Sequence, residues 1–286
     1  MHAWLSLAYW VPRRLPVLLG VPILIAALAV VALAPRPAGP LSLGAASRRA
    51  VAPGVEVLSA PVRRGARRAG RLVAIYAEPD AVELDLFVNG GQAALRDLAA
   101  GALAVMNAGY FTEARRPTGL LVSGGKVLSP FVPNAGAAGS GVLVVAEGEV
   151  RLLARDAVRP ADYRGARLAI QAGPRVVEPG GQPGIRSDDG ARANRTVVGR
   201  DGAGRLVLLV VHNPDGGQAA GPTLHELMAL LGPAGLGAVA PELALDFALN
   251  LDGGPSTGLS LRDEAVDAEL AEAAPVLSVI ALSPAR

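Results

Sequence analysis

The 286-residue chain contains no cysteine, so it can build neither a disulfide framework nor a thiolate metal site, and no thiol can act as a nucleophile. That composition is compatible with an oxidising compartment. Aromatic residues make up only 3% of the chain while apolar residues reach 51%, so any core must be built from Ala, Val and Leu. Lysine is almost missing. Lys126 stands alone beside many arginines, a habit of composition that strips the pI of 9.4 of its weight as a sign of a nucleic-acid partner. No aromatics interleave with the basic residues as a nucleic-acid arm would require, so no nucleic acid is expected. The three histidines form no His-x-x-x-His or His/Asp cluster, and neither a metal nor another cofactor is expected. The lack of a Gly-x-x-x-x-Gly-Lys loop argues against a P-loop nucleotide site.

Glycine (35) and proline (23) are abundant, which fits many short strands joined by turns better than a helical bundle. The one long apolar run, Leu15 to Ala34, carries no charge and has about the length that spans a bilayer. Residues 1–34 are therefore expected to be a signal anchor, or a signal peptide with Ala32-Leu33-Ala34 as its small-residue site. The rest would lie on the extracytoplasmic side, membrane-anchored through this N-terminal helix, or secreted if the segment is cleaved. Arg48, Arg49, Arg63, Arg64, Arg67, Arg68 and Arg71 precede a near-neutral body and read as a basic juxtamembrane segment. Residues 35–69 are expected to be a Pro/Gly/Arg-rich linker and 70–286 the folded domain.

Within that domain Val82 to Val88 alternates as a half-wet strand should, and residues 92 to 100 are compatible with a helix. Gly124-Gly125 and Glu147-Gly148 mark hairpin turns. The clearest helix spans Pro222 to Gly232, with Thr223 and Glu226 spaced as a capping box. The expected architecture is α+β: a mixed, mainly antiparallel sheet with packed helices, forming a single domain behind the N-terminal anchor, with a site where strand ends converge.

The stretch Asn250-Leu251-Asp252-Gly253-Gly254-Pro255-Ser256-Thr257 is the richest in chemistry. Strand alternation projects Asn250 and Asp252 to one face. The two glycines permit a sharp turn that would leave backbone N–H groups uncovered for an oxyanion, and Ser256 and Thr257 add hydroxyls. The same residues also suit a plain Asp-Gly turn in which Asp252 caps the backbone. Asn107 and Gly109 in Asn107-Ala108-Gly109-Tyr110-Phe111 fit a ligand-facing or a structural turn, and Gln171 falls where Gly173-Pro174 must interrupt a strand. Arg195, at the start of a strand, could offer a planar fork to a phosphate.

These four stretches, Asn107 to Phe111, Gln171 to Pro174, Arg195 to Gly199 and Asn250 to Thr257, occur in an order that resembles the phosphodiester glycosidase family. The likeness runs from about residue 70 to 283 and includes the Gly221-Pro222-Thr223-Leu224 helix start. Two departures stand near the site. The family usually reads Asn-Gly-Gly-Phe-Phe where this chain has Ala108 and Tyr110, and a third small residue where Pro255 stands. The resemblance implies hydrolysis of a sugar 1-phosphodiester in an envelope or extracellular phosphorylated glycan. On that basis Asp252 is expected as nucleophile or as base for water. Arg195 is expected to stabilise the leaving phosphate, aided by Gly253, Gly254, Ser256 and Thr257. Asn107, Gly109, Gln171 and Asn250 are expected to hold the sugar. Asp188, Asp189 and Asp215 are candidates for a second carboxylate. A non-catalytic, membrane-tethered glycan-binding or exopolysaccharide-assembly protein would carry the same features.

Overall fold

The computed structural model describes residues 39–88, 94–98, 101–213, 221–262 and 270–285. Gly39–Arg286 is one compact unit, and every core cluster of the described residues lies inside it. Among the described residues no helix is long and apolar enough to cross a membrane. The expected anchor over Leu15 to Ala34 lies outside the described residues.

Among the described residues strands dominate, in three sheets. The largest has nine strands. Along it run Leu41–Leu43, Val55–Arg64, Arg67–Ala77, Leu206–His212, Arg195–Asp201, Leu245–Asn250, Arg175–Glu178 and Gln182–Pro183, while Ser47–Ala52 also pairs with Val55–Arg64. A five-stranded sheet is centred on Gly141–Ala146 and Leu168–Ala172, and a four-stranded one on Ala104–Asn107 and Ser278–Pro284. Every strand pairing among the described residues is antiparallel, so the single mixed sheet expected from the sequence is replaced by three antiparallel ones. Helices are few and short. The longest described is Leu224–Leu231, with eight residues, and the helical stretch within 92–100 is described only at Leu95–Leu98.

The layers follow from which faces are greasy. One face of the large sheet presents Ile75, Val198, Leu208, Phe247 and Leu249 to Leu86, Met106 and Ile280 of the four-stranded sheet and to Leu121, Leu143 and Ile170 of the five-stranded one. The other face presents Leu72, Tyr76, Val197, Leu209 and Val211 to Leu227, Leu230, Leu231 and Leu236 of the helical layer. A strand covered on both sides has no reason to alternate, so Leu206–His212 is apolar almost throughout, whereas Val82–Val88 keeps one wet face. Each fully buried Leu or Val contributes about 1.5–3 kcal/mol relative to exposure, so this two-sided core holds the central strands rigid without many aromatics.

The linker expected over 35–69 is corrected by the structure. Strands occupy Leu41–Leu43, Ser47–Ala52 and Val55–Arg64, and Arg67 already begins the next. Val55, Val57, Leu58, Ala60 and Val62 are all buried. Flanking arginines and prolines mask that apolar content in the sequence.

Candidate active site

Strand register brings the segments that carry these residues together. Arg195–Asp201 runs antiparallel to Leu245–Asn250 with Val197 opposite Asn250, and the Leu251 N–H donates to the Thr196 carbonyl at 2.8 Å, carrying the ladder one residue further. The ladder ends there. The Asp252 N–H then turns away to the Ala108 carbonyl at 3.1 Å, and the backbone enters a short 3-10 turn, Gly254–Ser256. Gly254 has φ of +59°, a left-handed conformation that glycine adopts without steric cost.

Asp252 is half-buried. Burial raises its carboxyl above the ordinary aspartate range, against the opposing hydrogen bonds from the Ser256 hydroxyl and the Gly253 N–H, the latter 2.9 Å long. Arg195 is buried, and its guanidinium donates from Nε to the Pro222 carbonyl (3.0 Å) and from Nη2 to the Ala191 carbonyl (2.6 Å). Burial lowers its proton affinity, while Tyr110 and Asp189 act in the other direction. Among the described residues no group hydrogen-bonds to Nη1. Gly221 makes this seat possible, because a Cβ there would stand 2.0 Å from the Ala193 carbonyl oxygen and force Pro222 away.

Tyr110 links the two. Its hydroxyl donates to the Gly173 carbonyl at 2.8 Å and accepts from Asn250 Nδ2 at 2.6 Å. Its ionisation is pushed up to about 12, by burial first and then by the charge of Asp252, while the Asn250 bond and Arg195 oppose the rise. The phenol is thus within electrostatic reach of both the anion and the cation. Sequence reasoning gave Tyr110 no role beyond departing from a family phenylalanine; the available signal was a hydroxyl placed at the end of a buried strand.

Several residues expected to face substrate have other partners. Gln171 is fully engaged by backbone: Oε1 accepts from the Leu120 and Val132 N–H groups (3.1 and 2.9 Å), and Nε2 donates to the Val132 and Gly139 carbonyls (2.7 and 3.1 Å). Its amide closes the strand break it sits in, and it has no capacity left for a sugar. Asn107 ties the Asp252 loop down, with Nδ2 donating to the Asp252 carbonyl (2.7 Å) and Oδ1 accepting from the Thr196 hydroxyl (2.8 Å) and the Gly258 N–H (3.1 Å). Gly109 is buried, and the Ser278 hydroxyl accepts from its N–H and donates to its carbonyl. The Gly253 and Gly254 N–H groups are covered by the Asp252 carboxylate and the Asn194 carbonyl, so the expected backbone oxyanion site is already filled. Thr257 Oγ1 meets Thr196 Oγ1 at 3.4 Å. Asn250 Nδ2 also contacts the Leu251 carbonyl at 2.8 Å, leaving its Oδ1 buried without a partner.

Of the candidate second carboxylates, Asp188 and Asp189 are exposed and receive the Gly190 and Ala191 N–H groups, and Asp189 lies within electrostatic reach of Arg195. Asp215 lies outside the described residues. The seat of Arg195 has an outer support absent from the sequence reading. Glu226 receives Arg64 at 2.7 and 3.1 Å and both terminal nitrogens of Arg192 at 2.9 Å, anchoring the loop that supplies the Ala191 carbonyl.

Fold and site together define a layered antiparallel protein in which a buried phenol lies within electrostatic reach of one carboxylate and one cation. Residues 100–282 match the phosphodiester glycosidase family, and the chain belongs to it. No curated protein matches the sequence. Among solved structures, the catalytic domain of zebrafish N-acetylglucosamine-1-phosphodiester alpha-N-acetylglucosaminidase, auto-inhibited by its pro-peptide, is similar at 17% identity and a TM-score of 0.58, over 86% of this chain and 89% of that one. A hypothetical protein from Synechocystis is similar at 17% identity and a TM-score of 0.54, over 84% of this chain and 64% of that one. A Burkholderia pseudomallei K96243 protein is similar at 13% identity and a TM-score of 0.54, over 87% and 98%. At these identities the likeness establishes the fold.

Proposed function

We propose that this protein is a hydrolase that cleaves the bond between a sugar C1 and its phosphodiester oxygen in an envelope or extracellular glycan. The observation that supports the reading is that the Asp252 loop is bonded to Thr196, the neighbour of Arg195, directly and through Asn107, while the Tyr110 phenol lies within electrostatic reach of both charged groups. Phosphate is a weak base with a second pKa near 6, so it departs without a strong general acid and needs a cation to receive its charge. Arg195 Nη1 is suited to that task, since its other donors are held by carbonyls and fix the direction of the fork. Asp252 faces the carbon that becomes electron-poor, as nucleophile or as base for the attacking water. Overall the C1–O bond breaks, its electron pair leaves with the phosphate monoester, and water supplies hydroxyl to C1 and a proton to solvent. Asn250, Ser256 and Thr257 border this point, with Asn107, Gly109 and Gln171 acting as its scaffold.

The test is turnover of synthetic sugar 1-phosphodiesters by residues 39–286 in water enriched in oxygen-18. Label in the released sugar and none in the phosphate monoester is the expected result. Label in the phosphate would make the protein a phosphodiesterase instead. Binding across the set without turnover by the folded protein would leave a glycan-binding module.

A further inference from the structure

We propose that the tip of the hairpin formed by Val55–Arg64 and Arg67–Ala77 is a docking surface for an anionic lipid bilayer. The hairpin turns at Gly65, whose φ is +59°, and its last two rungs set Arg64 opposite Arg67 and Arg63 opposite Arg68. Like charges directly across a sheet are destabilising, so this arrangement works against the fold that contains it. Arg64 is neutralised by Glu226. Arg63, Arg67 and Arg68 are exposed, and among the described residues none of their side chains makes a hydrogen bond or an ion pair. Three uncompensated cations on one rigid turn form an anion-binding surface.

The course of the chain favours a bilayer as the anion. Leu41–Leu43 pairs with Val62 to Arg64, so the polypeptide enters the fold alongside this tip, and Arg64 Nη1 holds the Gly39 carbonyl at 3.0 Å. Five peptide steps lead from Ala34, the end of the uncharged Leu15 to Ala34 run, to Gly39. Even fully extended they reach only about 17 Å. A bilayer that takes up that run therefore meets the arginines at its headgroups, where each is attracted to anionic lipid by roughly fivefold in partition.

Residues 39–286, which contain the whole core, would be sedimented with vesicles of phosphatidylcholine alone and of phosphatidylcholine mixed with phosphatidylglycerol. Association with the mixed vesicles only, released by high salt, is expected. The combined Arg63→Gln, Arg67→Gln, Arg68→Gln variant should lose about a hundredfold in partition, three arginines at roughly fivefold each. Its thermal midpoint should hold or rise, since a like-charged rung is relieved. Arg116→Gln, Arg164→Gln, Arg186→Gln, an equal change of charge at exposed positions elsewhere, should leave partition within a few-fold of the parent. Equal losses in the two triple variants would show attraction by net charge alone and overturn the assignment. So would retention by soluble polyphosphate through the same arginines without preference for the mixed vesicles, which would point to a phosphorylated polymer.

Discussion

Glu226→Gln tests whether the support behind Arg195 is electrostatic. Burial by itself would raise the Glu226 carboxyl, but the bonds from Arg64, Arg192 and the Thr223 N–H outweigh it and bring the group from 4.5 down to about 2. At 1.36 kcal/mol per unit that fall corresponds to about 3.4 kcal/mol, and because the cluster is partly open to water, screening reduces it to roughly 1.5 kcal/mol. Glutamine keeps one acceptor oxygen but no charge, and two guanidinium groups must share it. The expected loss at pH 7 is about 2 kcal/mol, or a fall in Tm of about 4–8 °C for a unit of this size. The sign of the pH dependence is fixed by the depressed value. The contribution is complete above the unfolded value of 4.5 and fades as pH falls toward about 2, so parent and variant should converge in acid. Urea unfolding of residues 39–286 at pH 7 and in steps down to acid measures the gap directly. A gap that stays constant as the pH falls, or one below about 0.5 kcal/mol at pH 7, would refute the argument.

Three further outcomes follow from the site geometry. Asp252→Asn should lower kcat at least about a hundredfold while stability holds or rises, because the folded protein disfavours the charged form of this carboxyl. In the parent, the acidic limb of the rate profile should lie above the ordinary aspartate range, and a limb at or below that range would contradict the burial. Arg195→Lys should cost about a hundredfold in kcat/KM, since a single ammonium cannot hold the Pro222 and Ala191 carbonyls while presenting a third donor; near-parental kcat/KM would remove Arg195 from phosphate recognition. Tyr110→Phe removes the shortest partner of Asn250 and one donor to the Gly173 carbonyl, with an expected loss of about 1–1.5 kcal/mol seen in denaturant unfolding.

What could be read from the sequence depended on whether the signal was local. Hairpins at Gly124-Gly125 and Glu147-Gly148 and the Thr223/Glu226 capping box are written in a few adjacent residues, and the structure contains them, with the two capping hydrogen bonds at 3.1 Å each. The division into three sheets could not be read, because alternation tells which face of a strand is wet and says nothing about which strand it joins. The strands before residue 70 escaped notice since Arg and Pro diluted an apolar content that becomes visible only once Val57 and Leu58 are known to share cores with residues far along the chain.

At the site the limit was of another kind. Strand-end polar residues were identifiable as a group, but a buried amide must satisfy its donors and acceptors, and whether it does so with a ligand or with backbone depends on neighbours distant in sequence. Gln171 is completed by Leu120, Val132 and Gly139, and Asn107 by Thr196, Gly258 and Asp252 itself. Thr196, inside an apolar strand, gave no sign of its part in that pairing. This consumption of polar groups has a chemical consequence. With the amides of Asn107 and Gln171 and the N–H groups of Gly253 and Gly254 committed to holding the loop, and the Tyr110 hydroxyl already bonded to Gly173 and Asn250, the polar groups left for a ligand are reduced mainly to the Asp252 carboxylate with its Ser256 partner and the remaining nitrogen of Arg195. On the proposed reaction, recognition therefore rests more on the phosphate and its cation than on a dense network to sugar hydroxyls. Specificity among sugars should accordingly be weak beside the requirement for an anionic leaving group, and kcat/KM should vary far more between phosphodiester and neutral aglycones than between one hexose and its epimer.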